Sequence, residues 1–314
     1  MAEKLVVALG GNALQSREGD GSAAAQLDVV KATCDSIARI SALGYEMGIV
    51  HGNGPQVGAI HLAYETAKDT TPAMPFDVCG AMSQGYIGYH LVQALRKSLS
   101  DLGVEAAEVA CVVSQVVVDK DDPAFDNPSK PIGPFYTEEE ARSLMEERGY
   151  VMREDAGRGW RRVVPSPKPK RLLETAAVRT LWPTTISISC GGGGVPIVEN
   201  DDGTIEGVEA VIDKDLAAEL LAEAIEADKF MILTEVERVA IDYGTPEQTD
   251  LSEMSLADAA RYIAERQFAP GSMLPKVEAA VKFVEAFPDR VAIIAALDKA
   301  EEALQGTSGT VIHA

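Results

Sequence analysis

Three short apolar runs in this chain each end in a cluster of glycines. The first is LVVALGGNAL at residues 5–14, the second leads into HGNGPQVG at residues 51–58, and the third, TTISISC, is followed by GGGG at residues 191–194. Apolar runs of this length are typical of buried strands. Consecutive glycines lack the Cβ atoms that keep an anion away from the backbone, so neighbouring N–H groups can bind one anion. The pattern predicts strand ends that cradle an anion, although a plain tight turn would explain any one of the three.

Between these runs, apolar residues recur at helical spacing, as at Val30, Cys34 and Ile37. Strands that alternate with helices predict a mostly parallel sheet covered on both faces. The composition changes at residues 119–169, where proline and charged residues are frequent and the apolar runs are short. We interpret this region as an inserted subdomain that projects from the main sheet and carries Lys130 over a site as a lid.

The total charge argues against two classes of partner. The chain has 28 lysines and arginines against 49 acidic residues, for a net charge of −21, so it repels nucleic acid and anionic lipid. No apolar run approaches the roughly 20 residues that span a bilayer, and the N-terminus has no signal-peptide pattern, so a cytoplasmic location is expected. Any site for an anionic substrate must gather scarce lysines locally.

Cysteine and histidine spacing does not indicate a metal centre. Cys34, Cys79, Cys111 and Cys190 form no CxxC pair, and the four histidines form no HExxH or similar ligand spacing. We assign no metal ligands and interpret the thiols as buried. Among the histidines, only His51 lies within a motif.

Two lysines stand near helix starts, where the helix dipole does not favour a cation. Lys214 lies between Asp213 and Asp215 at the start of an amphipathic pattern, and Lys276 ends GSMLPK just before another such pattern. In a chain with so few basic residues, this placement indicates that each lysine has an anion to bind.

A competing interpretation comes from the second glycine cluster. The spacing GxGxxxG at residues 52–58 differs by one residue from the dinucleotide-binding fingerprint. That fingerprint belongs to the first strand–helix turn and requires an acidic residue about 20 positions later at a strand end. Here it lies on the second turn, and residues 69–77 form a threonine- and proline-rich stretch, so we disfavour this alternative.

A helical pattern at residues 78–99 carries Gly80, Gly85 and Gly88. Small residues on a helix predict close packing against another helix. Because two-fold pairs are the commonest soluble oligomers, this helix is also a candidate for a subunit interface.

Eight motifs in order make the pattern more specific: LGGNAL, HGNGPQVG, KPIGPFY, VVPSPKP, CGGGGVP, GVEAVIDKDLA, YGTPEQ and GSMLPK. Over residues 6–310 the chain resembles the carbamate kinases of the amino-acid kinase family. The resemblance implies a three-layer αβα sandwich around a mostly parallel central sheet, with a small projecting subdomain at 119–169. It also implies an N-terminal lobe (1–207) for carbamate or carbamoyl phosphate, a C-terminal lobe (208–314) for the nucleotide, and a homodimer.

The resemblance assigns roles to individual residues. Donors to the transferred phosphoryl group and the substrate are expected at Gly10, Gly11, Asn12, Gly52, Asn53, Gly54, Gly191 and Gly192. Catalytic charges are expected at Lys130, Lys214, Asp215 and Lys276, and nucleotide contacts at Asp213, Thr234, Tyr243, Met273 and Lys276. The chain departs from the family at Ala8, where the wider family often has a lysine that Lys130 is expected to replace. It departs again at Leu274, where the common motif is GSMGPK.

The expected activity is a phosphotransferase reaction that converts ATP and carbamate reversibly to ADP and carbamoyl phosphate. Mg²⁺ is expected to bridge the nucleotide phosphates with few protein ligands, since it keeps its water readily. The resemblance implies that cells run the reaction toward ATP in arginine or related catabolism. Two alternatives stay open: another kinase of this fold that acts on a small carboxylate, and a non-catalytic regulator that binds a nucleotide. The three lysines favour an enzyme.

Overall fold

The computed structural model describes residues 2–15, 21–104, 108–155 and 157–314. Its helices are α1 (Ala23–Ala42), α2 (Gly54–Thr66), α3 (Phe76–Asp101), α4 (Glu138–Arg148), α5 (Thr175–Leu181), α6 (Lys214–Ile225), α7 (Leu256–Ala264), α8 (Met273–Ala286) and α9 (Ala300–Leu304). Its strands are β1 (Lys4–Leu9), β2 (Glu46–His51), β3 (Glu108–Cys111), β4 (Gln115–Val118), β5 (Lys130–Tyr136), β6 (Met152–Glu154), β7 (Trp160–Val164), β8 (Pro169–Leu172), β9 (Thr185–Ile188), β10 (Val195–Glu199), β11 (Ile205–Gly207), β12 (Lys229–Thr234), β13 (Val239–Ile241), β14 (Thr249–Leu251), β15 (Glu253–Ser255), β16 (Val291–Ala296) and β17 (Thr310–His313).

The central sheet of the described residues has eight strands in the order β15-β17-β16-β12-β1-β2-β9-β3. β1 lies in the middle and pairs in parallel with β12 and β2, so Val7 stands opposite both Met231 and Ile49. β16, β9 and β3 continue the parallel arrangement, whereas β17 runs antiparallel to β16. The predicted mostly parallel sheet is confirmed. Because parallel strands end at one edge, the loops after β1, β2, β9, β12 and β16 come together there.

Both faces of this sheet are covered, which makes the fold a three-layer αβα sandwich. Alternate side chains of a strand point to opposite faces. Leu5, Val7 and Leu9 of β1 pack in the hydrophobic cluster that includes α1 and α3. Val6 and Ala8 pack in a second cluster with α6 and α8. β1 is therefore buried on both sides, which explains its continuous apolar run.

The two halves of the sheet come from different halves of the chain. β1, β2, β9 and β3 precede residue 208, whereas β12, β16, β17 and β15 follow it. The two sets meet where β1 pairs with β12. The end of β1 therefore lies beside elements from both parts of the chain.

Residues 119–169 form a small unit of their own, with a three-stranded sheet β5-β7-β6 and helix α4. Thr137 caps α4, and Glu140 completes a capping box. The chain enters this unit after β4 and returns at β8, and these two strands pair antiparallel in a second sheet. Gly133 has a left-handed φ of +68°, and a Cβ at Gly58 of α2 would overlap its backbone. The insert is thus docked on α2.

Residues 108–118 contain two strands, β3 and β4, that belong to different sheets. Between β3 and β4, the buried Gln84 side chain of α3 accepts a hydrogen bond from Ser114 N at 2.8 Å and donates one to Ser114 O at 3.0 Å. The amide thus satisfies the backbone where the strand breaks.

Helix α3 has 26 residues and packs its glycines differently from the prediction. A Cβ at Gly88 would overlap the Cys111 side chain of β3, whereas Gly80 and Gly85 face open space. Gly88 therefore permits close packing on a strand rather than on another helix. Within the described ranges, no helix is both long and apolar enough to cross a membrane.

Candidate active site

The first glycine pair forms the turn after β1. Gly10 N donates a hydrogen bond to Leu233 O of β12 at 3.2 Å. Gly11 opens a short 3-10 turn, and a Cβ there would meet no atom within 4 Å. Gly11 is therefore open to a ligand. The side chain of Asn12 lies outside the part that the structure describes, so its predicted role stays a prediction.

The second glycine motif joins the end of β2 to the start of α2. Asn53 is buried, and its Nδ2 donates a hydrogen bond to Ser83 Oγ of α3 at 2.8 Å. A Cβ at Gly52 would lie 3.4 Å from Lys214 Cδ, so the lysine stem passes over this glycine. Complete burial lowers the pKa of His51 to about 4, which keeps the ring neutral.

The four consecutive glycines after β9 allow close packing against neighbouring segments, and their predicted anion binding stays a prediction. Gly192, with φ +68°, lies against the Asn53 side-chain amide, where a Cβ would overlap it, and a Cβ at Gly193 would overlap Ile212 O. Gly191 packs on His51, with a hypothetical Cβ only 2.5 Å from Nε2. Gly191 and Gly192 are both predicted to bind substrate, and of these two Gly192 lines a cavity next to the lysines described below.

The start of α6 gathers lysines from three parts of the chain. Asp213 is the N-cap residue, and its Oδ1 accepts from Asp215 N at 2.8 Å. Its Oδ2 accepts from Lys130 Nζ of the insert at 2.6 Å. Asp215 Oδ1 accepts from Lys214 Nζ at 2.6 Å, and Oδ2 accepts from Lys276 Nζ of α8 at 3.0 Å. Each predicted catalytic lysine is thus held by an aspartate, of which Asp215 is buried and Asp213 is partly buried.

Burial and charge act against each other in this cluster. Burial lowers the pKa of Lys214, although Asp215 opposes the change. Burial also disfavours the charge of Lys276, but Asp215 and Asp213 outweigh it and raise the pKa of that lysine. For Asp213, burial disfavours ionisation, but Lys130 and Lys214 outweigh it and hold its pKa below the usual range. The pairing outweighs desolvation for Lys276 and Asp213 and offsets it only in part for Lys214.

Two cavities meet at Lys214 and Lys276. The first, of about 900 Å³, reaches from the β1 turn and α1 to Thr234, and the second, of about 720 Å³, reaches from the α2 start to the insert. The residues that line both are Gly11, Lys214, Gly271, Ser272 and Lys276. Gly52, Asn53, Gly54, Lys130, Gly192, Asp213 and Asp215 line the second cavity. Two bound molecules could therefore contact the same pair of ammonium groups.

The residues predicted to contact a nucleotide do not all line the same cavity. Thr234 lines the first cavity, Lys276 lines both, and Asp213 lies on the second side with Lys130. Tyr243 is 70% exposed, on the turn after β13. Met273 begins α8 and packs against the hydrophobic cluster beside the sheet.

The position of Leu274 explains why the chain can carry a leucine where the common motif has glycine. It is the second residue of α8, and its side chain also packs against the hydrophobic cluster that includes α6 and α8. Lys276, two residues later, keeps its contact with Asp215. The departure at Leu274 therefore leaves the lysine at the site.

The sequence prediction missed three charged residues of the insert that line the second cavity, namely Asp155, Arg158 and Arg161. Arg158 Nη2 lies 2.7 Å from Asp155 Oδ1, and Arg161 Nη1 lies 3.4 Å from Asp155 Oδ2. The available signal was the basic run GRGWRR in an acidic chain. Its position over the cavity depends on the folding of the insert.

This arrangement defines a class of enzyme. Glycine turns at the ends of adjacent parallel strands, with ammonium groups where two cavities meet, suit transfer of a phosphoryl group between two substrates. Such transfer needs positioning and positive charge more than covalent chemistry from the protein. The αβα fold and this site therefore describe a phosphotransferase.

The chain belongs to the carbamate kinases of the amino acid kinase family, whose model matches residues 3–295. It is 53% identical over 313 residues to the carbamate kinase of Clostridium perfringens, with 98% of this chain and 99% of that protein covered. It is 51% identical over 315 residues to the carbamate kinase of Pyrococcus furiosus, with 99% of each covered. The structure of the Giardia lamblia carbamate kinase bound to AMP-PNP aligns with a TM-score of 0.90 and 43% identity, over 99% of this chain and 98% of that one. The same enzyme bound to citric acid aligns with a TM-score of 0.94.

Proposed function

We propose that the chain transfers a phosphoryl group reversibly between ATP and carbamate, giving ADP and carbamoyl phosphate. The observation that carries the proposal is the pair Lys214 and Lys276, held on the two oxygens of Asp215 at the junction of the two cavities. Positive charge placed there can act on a phosphoryl group as it passes from one substrate to the other. Membership of the carbamate kinases supports the choice of substrates.

The mechanism follows from the charges. A carbamate oxygen is already anionic, so it can attack the terminal phosphorus of ATP without losing a proton to a general base. The phosphoryl group moves in line, and Lys214 and Lys276 offset the charge on its equatorial oxygens. Backbone N–H groups at Gly11 and Gly52 complete the contacts. Each such contact contributes roughly 3 kcal/mol to transition-state stabilisation by comparison with oxyanion-hole donors.

The two substrates approach from different sides. We assign the nucleotide to the C-terminal lobe (208–314), where Thr234 lines the first cavity beside the shared lysines, and carbamate or carbamoyl phosphate to the N-terminal lobe (1–207). Asn53 and Gly192 line the second cavity and support this assignment. The contacts expected of Tyr243 and Met273 would need the nucleotide to extend beyond the first cavity.

A divalent cation, which we propose is Mg²⁺, accompanies the nucleotide. In the described parts of the chain, no three His, Cys, Asp or Glu side chains are grouped so that they could hold a metal ion. Asp213 and Asp215 are already bound to lysines. These observations fit a cation held mainly by phosphate oxygens and water, as Mg²⁺ prefers. Bound in this way, the ion would offset phosphate charge.

The insert at 119–169 supplies the charge that is missing at Ala8. Ala8 is buried in β1, whereas Lys130, the first residue of β5, lines the second cavity. We propose that the insert acts as a lid. Its two connections, β4 and β8, are paired side by side, which allows the unit to move as one body.

The decisive experiment is a coupled assay of ATP formation from carbamoyl phosphate, ADP and Mg²⁺. ATP production that depends on carbamoyl phosphate is the expected result. Much faster turnover with acetyl phosphate would favour a kinase of another small carboxylate. Nucleotide binding without turnover would favour a regulator, and strong NAD(P)H binding would favour the dinucleotide alternative.

We further propose a homodimer formed through α3 and the edge strand β3. Three apolar side chains in or next to these elements are exposed: Tyr89 of α3 is 59% exposed, Leu102 just after α3 49% and Val113 shortly after β3 48%. Apolar groups at a sheet edge favour a subunit contact. Light scattering at micromolar concentration tests the assembly, with Tyr89→Glu expected to weaken it. A monomer mass for the unmodified chain would rule it out.

We also propose a cytoplasmic location. Cys34, Cys79, Cys111 and Cys190 are free thiols, as is usual in a reducing compartment. Cell fractionation tests this, and recovery in an extracytoplasmic fraction would contradict it.

A further inference from the structure

The insert brings a second carboxylate with two cations to the second cavity. Asp155 Oδ1 accepts from Arg158 Nη2 at 2.7 Å, and Asp155 Oδ2 accepts from Arg161 Nη1 at 3.4 Å. Asp215 has the same arrangement, since its two oxygens accept from two lysines. In both clusters two cations share one carboxylate, so each cluster retains one surplus positive charge. Both clusters line the same cavity.

Arg161 is the fixed member of the insert cluster. Its side chain is only 12% exposed, and its Nε donates to Gly133 O at 3.2 Å. Its guanidinium carbon also lies 5.2 Å from the centre of the Phe135 ring. Burial lowers the pKa of Arg161. A guanidinium held on several sides in this way keeps Asp155 in position.

Arg158 is the accessible member. Its side chain is 49% exposed and lines the second cavity, and its guanidinium carbon lies 5.1 Å from the centre of the Phe135 ring. A guanidinium has five N–H donors, and an arginine that pairs with one carboxylate retains donors for a second anion. Its planar fork matches the oxygens of a phosphoryl group.

The cavity indicates which anion this would be. Arg158 shares it with Lys130 and with residues 52–56 at the start of α2, whereas Thr234 lies on the other side of the shared lysines. We propose that Arg158, positioned by Asp155 and Arg161, binds the phosphoryl oxygens of carbamoyl phosphate in the second cavity. The identity of that ligand rests on the proposed function. Asp155 and Arg161 act through Arg158 and are positioning residues.

A different result is expected if Arg158 has a purely structural role. Arg158 and Asp155 lie three residues apart in the turn between β6 and β7. If their pair only stabilised this turn, removal of Arg158 would change stability and leave the affinity for phosphate unaltered. Binding measurements therefore separate the two roles.

The test compares Arg158→Gln and Arg158→Lys with Arg153→Gln, which removes the same charge from an exposed position on β6 of the insert. In the ATP-formation assay, Arg158→Gln should raise KM for carbamoyl phosphate about tenfold or more and leave KM for ADP unchanged, as expected for loss of a charged hydrogen bond. Arg158→Lys should be intermediate, because a lysine retains the charge without the fork. Arg153→Gln should match the wild type.

A second experiment measures the binding of inorganic phosphate alone by isothermal titration calorimetry. Phosphate affinity should fall in Arg158→Gln and persist in Arg153→Gln. If Arg158→Gln matches the control in both KM and phosphate affinity, the inference is wrong. If the wild type makes no ATP from carbamoyl phosphate, the proposed function fails instead, and the phosphate titration still decides whether Arg158 binds a phosphoryl group.

Discussion

Lys130 Nζ lies 2.6 Å from Asp213 Oδ2, so the first residue of β5 is bound to the N-cap residue of α6. The insert and the main fold are therefore joined at the site itself. This ion pair also shows that Lys130 and Lys214 are held in position in different ways. Lys214 is held by the adjacent Asp215 within one element, whereas the position of Lys130 depends on where the insert lies. Different kinetic effects are expected from their removal.

Replacement of Lys214 by methionine should lower kcat about a hundredfold or more with little change in KM for ADP, the pattern of a lost transition-state contact. Asp215 would keep Lys276 as its partner, so the fold should persist. Steady-state kinetics in the direction of ATP formation measures the effect. Lys97→Met, at an exposed lysine of α3, is the matched control. Equal kcat values for the two variants would refute the role of Lys214.

Lys130→Met should damage KM for carbamoyl phosphate as well as kcat, because the lysine contributes both charge and the contact that holds the insert over the cavity. Circular dichroism would establish that the variant is folded. Lys120→Met, at a lysine that also lies within the insert, provides the control. Unaltered kinetics for both substrates would show that the insert does not complete the site, and the explanation of Ala8 would then be lost.

Gly192→Ala tests the packing of the third glycine run. Gly203→Ala, at φ +82° with open space around it, should cost only the roughly 1–2 kcal/mol of a left-handed residue. Gly192→Ala has a comparable φ of +68° but also displaces Asn53, so it should cost more and reduce activity. Urea denaturation of the two variants isolates the packing contribution. Equal losses of stability would mean that Asn53 moves aside freely.

Glu219 should make stability depend on pH. Burial raises its pKa to about 8 from an ordinary 4.5, Glu223 adds to the rise, and Lys282, whose Nζ is 2.5 Å from Oε2, opposes it. The folded protein then binds this proton more tightly than the unfolded chain. The resulting stabilisation is complete below pH 4.5 and is lost as the pH rises through about 8.

Glu219→Gln removes this titration. Urea denaturation across the same pH range should show the wild type losing stability relative to the glutamine variant as the pH rises. Glu285→Gln, at an exposed position of α8, should leave the pH profile unchanged. A constant difference between the wild type and Glu219→Gln at every pH would disprove the coupling.

Local patterns were sufficient for much of the fold. The apolar run of β1 predicted a buried strand, and the structure buries it on both faces. The Asp213-Lys214-Asp215 motif predicted the start of α6. These features depend on residues within a few positions of one another, and backbone geometry and capping act over the same distance.

Other features depend on the order of strands in the sheet. Lys276 meets Asp215 across 61 positions of sequence, and Lys130 meets Asp213 across 83. The sequence predicted that the glycines at 191–194 cradle an anion but did not predict that Gly192 packs against Asn53. The difference arises because β9 lies beside β2, which brings the two turns together.

The sequence alone therefore determined the alternation of strands and helices and the glycine turns at the ends of β1 and β2. It also determined the two lysines near helix starts, where the helix dipole does not favour a cation. The tertiary structure decided which of these groups share a cavity, that Asp215 and Asp155 each hold two cations, and that Arg158 lies in the site. The physical reason is the distance along the chain over which each kind of interaction acts. Periodicity and capping act within a few residues, whereas ion pairs and cavities form only after the sheet and its insert have brought distant segments together.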